Sequence, residues 1–102
     1  MTTPELGILL DAGDIATNVQ VVGDGPPVLL LHGSGPGVSA WAKWRLTIPG
    51  LSERFTAIAP DIVGFGYTER PANIAYDLDA WTAHALAVLD ALYVERVHVV
   101  GN

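Results

Sequence analysis

Four consecutive apolar residues, Val28-Leu29-Leu30-Leu31, stand between the Pro26-Pro27 breaker and the string His32-Gly33-Ser34-Gly35-Pro36-Gly37. A run this short and this uniformly apolar fits a strand buried on both faces of a sheet, since a strand with one wet face would alternate. Such a strand needs a layer of helices on each side, and the following sequence supplies helical spacings. From Ser39, a plausible N-cap, Trp41, Trp44, Ile48 and Leu51 recur at three- and four-residue intervals, and Pro49 should kink or divide that helix. Phe55 to Ala59 reads as a second buried strand closed by Pro60-Asp61, and residues 63–73, with Gly64, Gly66 and Pro71, read as a loop. Asp77 or Asp79 can cap a further helix carrying Leu78, Trp81, Ala85, Val88, Leu89 and Leu92 along one side. Val97 to Val100 then makes a last strand that runs into Gly101-Asn102.

Ahead of this alternation, Ile8 to Leu10 and a stretch alternating at Val19 and Val21 flank Asp11, Gly13 and Asp14, which predicts an N-terminal hairpin. The whole is an α/β pattern: a hairpin followed by right-handed βαβ units of a mostly parallel sheet. With 102 residues, half of them hydrophobic, one core is the limit, so a single domain is expected. Only 16% of residues are charged and the mean hydropathy is +0.35, a surface that something larger should enclose. The last strand would otherwise present an unpaired edge.

Composition also narrows the function classes. A net charge of −6 disfavours nucleic acid and acidic membranes as partners, and no apolar stretch approaches the roughly 20 residues of a membrane-spanning helix. The absence of cysteine excludes disulfides, thiolate metal sites and a cysteine nucleophile. Residues 1–7 carry no signal-type pattern, so a cytoplasmic location is the expectation. His32, His84 and His98 show no metal-ligand spacing, and packing or a simple hydrogen bond is the reading for each; Ser34, Ser39 and Ser52 lack an evident base partner.

Three glycines in five positions after the first buried strand let the backbone turn sharply and present its amides. On pattern alone this is either a donor-presenting loop or only a corner; it matches neither the dinucleotide fingerprint nor a P-loop. The fuller string from His32 to Trp41 resembles the meta-cleavage product hydrolases, carbon-carbon bond hydrolases of the α/β-hydrolase superfamily. Trp44-Arg45-Leu46, Ala59-Pro60-Asp61, Gly64-Phe65-Gly66-Tyr67 with Arg70-Pro71, and Asp90-Ala91-Leu92 resemble the same family in order and spacing.

The resemblance implies that residues 1–102 are the N-terminal portion of one α/β-hydrolase core domain, with the cap and C-terminal part absent. Gly101 and Asn102 match the first two positions of a Gly-x-Ser-x-Gly nucleophile elbow, so the nucleophile, acid and histidine of the triad are none of them within this chain. It further implies hydrolysis of a 2-hydroxy-6-oxohexa-2,4-dienoate without metal or organic cofactor, small substituents being favoured by Glu69-Arg70-Pro71-Ala72. The partners implied are that anionic dienoate and the remainder of the same polypeptide; a homo-oligomer is left open. Gly33 and Ser34 correspond to the oxyanion loop, with the Ser34 amide as donor, and Gly35 and Asn102 to substrate-contacting positions. Lys43 stands where the family often has a substrate-facing asparagine, and either pairs with the substrate carboxylate or points to solvent. The rival readings are an esterase, or an epoxide hydrolase or haloalkane dehalogenase with aspartate following Asn102, or a non-enzymatic interaction module.

Overall fold

The computed structural model describes residues 4–35 and 37–102. Strands β1 (Ile8–Ala12), β2 (Ile15–Val22), β3 (Pro27–Leu31), β4 (Thr56–Pro60) and β5 (His98–Gly101) form one sheet in the order β1-β2-β4-β3-β5. The helices are α1 (Ala40–Trp44), α2 (Ile48–Leu51) and α3 (Leu78–Ala91). β3 lies parallel to both its neighbours, β4 and β5, whereas the hairpin is antiparallel within itself and joins β4 antiparallel. The sheet is therefore mixed, with the parallel pairings in the β4-β3-β5 half.

The expected hairpin turns at Gly13-Asp14, both at positive φ (58° and 67°), the two-residue geometry whose twist matches that of the flanking strands. β3 is apolar throughout because its alternate side chains serve different layers. Val28 and Leu30 pack with Ala40, Trp44 and Ile48 of α1 and α2, while Leu29 packs with Ala85, Val88 and Leu89 of α3. Ser39 caps α1 by accepting from the Ala42 amide at 3.0 Å, and Pro49 divides the helical segment by sitting in the first turn of α2, where no N–H is needed. Asp77, not Asp79, caps α3.

Three expectations shift. The second buried strand runs to Pro60, one residue past the expected end, and the last strand is displaced by one residue to His98–Gly101. Leu78, expected on the core side of α3, is 75% exposed, whereas His84 is 2% exposed and fully part of the core face. Among the described residues β5 pairs with β3 alone, and all four of its residues are exposed.

Candidate active site

The loops that follow β3 and β4, and Asn102 after β5, lie at one edge of the sheet, the carboxyl ends of its parallel strands. Asp61, immediately after β4, is fully buried, and among the described residues its carboxylate accepts only from neutral donors. Its Oδ1 accepts from the Ala40 amide at 2.7 Å, and its Oδ2 accepts from the Asn18 side-chain amide and the Tyr67 amide, each at 2.9 Å. Ala40 opens α1, so this carboxylate fixes where the helix begins and where the loop after β3 must end. A side chain at Gly66 (φ 55°) would collide with the carboxylate, which is why the turn carries glycine there. Thr68 completes the knot, donating to the Asp61 carbonyl at 2.6 Å and accepting from the Asn18 amide at 3.0 Å.

His32, at the end of β3, is buried beneath Phe65, whose ring meets it edge-on at 5.3 Å. Its Nε2 accepts from the Ile62 amide at 3.0 Å, and its Nδ1 lies 2.7 Å from the Gly33 carbonyl. Gly33 itself faces the tip of β5: a Cβ placed on it would lie 3.0 Å from Asn102 Nδ2. Ser34 is exposed, and among the described residues nothing accepts from its amide. The loop then turns through Gly35 (φ 150°) and Gly37 (φ 75°), closed by the Val38 amide donating to the Gly35 carbonyl at 3.3 Å; Pro36 lies outside the described residues.

A hollow of about 780 Å³ opens between β3, β5 and α3. Gly33, Ser34, Gly101 and Asn102 line its end at the strand tips, and side chains such as Leu31, Trp81, Leu89 and Val99 give it apolar walls. The structure thus brings Gly33, Ser34 and Asn102 together. It does not bring Gly35 or Lys43 to the same place. Gly35 borders a separate shallow depression beside Gly64 and Tyr67. Lys43 is exposed on α1 with its ammonium 5.4 Å over the Trp44 ring.

Of the other histidines, His98 is exposed on the edge strand. His84 is held between Thr17 Oγ1, 2.9 Å from its Nε2, and the Val63 amide, which donates to its Nδ1 at 3.1 Å. The Val63 amide can only donate, so Nδ1 is bare and the neutral ring carries its proton on Nε2. Burial lowers its pKa from 6.5 to about 4. Among the described residues no three His, Asp or Glu side chains stand close enough together to hold a metal ion, and no helix is long and apolar enough to cross a membrane. The Asn18–Asp61–Thr68 knot and the two-sided bonding of His32 are the features sequence reasoning missed. Their only local signal was a polar residue placed at the end or in the middle of an apolar strand.

The α/β-hydrolase fold family model matches residues 26–102, and the chain belongs to that family. Within it, the chain is 54% identical over 98 residues to a 2-hydroxy-6-oxo-2,4-heptadienoate hydrolase of Pseudomonas putida, covering 96% of this chain and 36% of the relative. It is 51% identical over 100 residues to a 2-hydroxymuconate semialdehyde hydrolase of a Pseudomonas species, covering 98% of this chain and 35% of the relative. A crystal structure of the meta-cleavage product hydrolase CumD from Pseudomonas fluorescens, a serine-to-alanine mutant complexed with acetates, superposes with a TM-score of 0.96 at 53% identity, covering 98% of this chain and 37% of that one. The chain therefore spans little more than a third of the length of the relatives it matches.

Proposed function

We propose that this chain forms the N-terminal part of a single-core α/β-hydrolase that breaks a carbon-carbon bond in 2-hydroxy-6-oxohexa-2,4-dienoates, in the cytoplasm, during the degradation of aromatic compounds. The observation that carries the reading is the similarity to dienoate hydrolases over nearly the whole chain, glycine loop included. The convergence of Gly33, Ser34 and Asn102 on one end of the hollow supports it. So do the exposed apolar side chains Leu78, Leu86 and Val99, which all border the hollow and suit coverage by further residues of the same polypeptide.

The chemistry requires three events. A proton leaves the 2-hydroxyl and another arrives at C5, so that the enol becomes a ketone and C5 gains single bonds on both sides. Attack at C6 by an oxygen nucleophile, the serine hydroxyl or a water, with a histidine taking its proton and both side chains supplied from outside this chain, then places negative charge on the C6 oxygen. Collapse breaks the C5–C6 bond, and its electron pair delocalises from C5 to the 2-oxo group. Protonation of that oxygen, with one water consumed overall at C6, gives 2-hydroxypenta-2,4-dienoate and a carboxylic acid. The Ser34 amide is the donor this chain offers to the C6 oxygen, worth about 3 to 4 kcal/mol of transition-state stabilisation if typical of such donors. Asn102 borders the same spot and contacts substrate; Gly33 keeps the gap between loop and strand tip open. No residue of this chain is assigned to a metal or organic cofactor.

The test follows the dienolate absorbance of 2-hydroxymuconate semialdehyde and its 6-methyl and 6-phenyl analogues, with the full-length polypeptide carrying this chain. Turnover, fastest with hydrogen or methyl at C6, is expected. No turnover of any of the three would remove the reaction class and return the esterase, epoxide hydrolase and dehalogenase readings.

A further inference from the structure

We propose that His32 is the positioning residue that aims the Ser34 amide, by holding the carbonyl at the other end of the same peptide unit. This deepens, and rests on, the role proposed for Ser34. The Gly33 carbonyl and the Ser34 N–H belong to one planar trans unit, so the two vectors point in opposite directions. Whatever fixes the first fixes the second.

The bonding of the imidazole sets its tautomer. A backbone N–H only donates, so the Ile62 amide at 3.0 Å makes His32 Nε2 an acceptor. The neutral ring then carries its proton on Nδ1 and donates it to the Gly33 carbonyl at 2.7 Å. Ile62 lies two residues past the end of β4, and β3 lies between β4 and β5. A ring anchored on the β4 side draws the Gly33 carbonyl that way and leaves the Ser34 N–H directed to the β5 side, where Asn102 stands. The ring has little freedom to do otherwise, being 8% exposed and packed edge-on against Phe65. Three glycines in the loop supply no rigidity of their own, so an external clamp is what a preorganised donor would need.

Two substitutions separate the halves of this clamp in the full-length polypeptide. His32→Asn carries an amide nitrogen at the place of Nδ1, so it can still donate to the Gly33 carbonyl but cannot reach Ile62. His32→Gln carries an amide oxygen at the place of Nε2, so it can serve Ile62 but not Gly33. A clamp acting on the transition state predicts that His32→Gln lowers kcat by about 100-fold with KM changed less than about threefold, and that His32→Asn recovers at least about tenfold of that loss. Equal losses in both variants, or a loss confined to KM, would overturn it. Nitrogen-15 NMR of the wild-type imidazoles provides a readout independent of activity and of variant folding. His32 should be protonated at Nδ1 and bare at Nε2, the reverse of His84. The opposite tautomer at His32 overturns the proposal even if dienoates are turned over, whereas the expected tautomer in a protein inert to dienoates supports the clamp and leaves the failure with the assigned reaction.

Discussion

β4 and β5 flank the same strand, run in the same direction and are both largely apolar, yet β4 is almost wholly buried and β5 wholly exposed. Their sequences, Thr56-Ala57-Ile58-Ala59-Pro60 and His98-Val99-Val100-Gly101, do not explain this. The difference lies in what surrounds them. β4 has β2 on its far side and side chains from α1, α2 and α3 on its two faces, whereas β5 has β3 alone and an open hollow beside it. The residues that follow show the same contrast: after β4 comes a carboxylate with each oxygen engaged, and after β5 comes an exposed asparagine. One end of the candidate site is thus buried and hydrogen-bonded, and the other is exposed.

The largest expected effect tests that contrast at the strand ends. Asp61→Ala strands three N–H donors, the buried ones among them costly, and should destabilise the fold by about 3 to 6 kcal/mol, whereas Asn102→Ala should change stability by less than about 0.5 kcal/mol. Urea unfolding of both variants measures the gap, and near-equal losses would dissolve the distinction. Within the strands, Ile58→Ala should cost about 3 kcal/mol and Val99→Ala less than about 1 kcal/mol in this chain. Repeating the pair in the full-length polypeptide sharpens the comparison, because coverage of β5 should bring the two costs closer.

A smaller effect follows from His84, which ties α3 to β2 and to the turn after β4. Its folded-state pKa of about 4 lies below the ordinary 6.5, because burial disfavours the charged ring. Between those values the unfolded chain binds a proton that the folded one refuses. Its contribution is therefore complete above about pH 6.5 and is lost progressively as pH falls toward 4. Urea midpoints at pH 7 and pH 5 should differ in that direction, and His84→Gln should reduce the difference; an unchanged slope would place the acid sensitivity elsewhere. Smallest of all, Tyr93 closes α3 in the left-handed region (φ 58°) while 94% exposed, with the Val94 amide donating to the Leu89 carbonyl at 2.9 Å in a Schellman-type cap. Tyr93→Gly should raise stability by about 1 kcal/mol, seen as a higher urea midpoint.

Much of the fold was legible in the sequence because its signals are local. Gly13-Asp14 marks the hairpin, Ser39 and Asp77 mark helix starts, and the uniform apolarity of Val28 to Leu31 marks a strand between two layers. Where the reading slipped, the deciding partner was distant. His84 reads as packed or hydrogen-bonded, but its partner Thr17, 67 positions away, could not be named. Leu78 reads as a core residue, yet it borders the open hollow beside α3 and is exposed. Pro60 reads as a terminator, yet it can end a strand because the next amide, that of Asp61, makes the bond to the Asn18 carbonyl. At the site, the glycine loop was visible in sequence, but the bonding of His32 to Ile62 was not, since the two meet only after β3 and β4 pair.

The most direct measurement is a crystal structure of the full-length polypeptide holding an unreactive 2,6-dioxo analogue of the dienoate. The account predicts the C6 oxygen about 3 Å from the Ser34 amide nitrogen, on the side of the loop that faces Asn102. An analogue bound for cleavage with that oxygen out of reach of the Ser34 amide, or with the Gly33 carbonyl turned toward it instead, would contradict it.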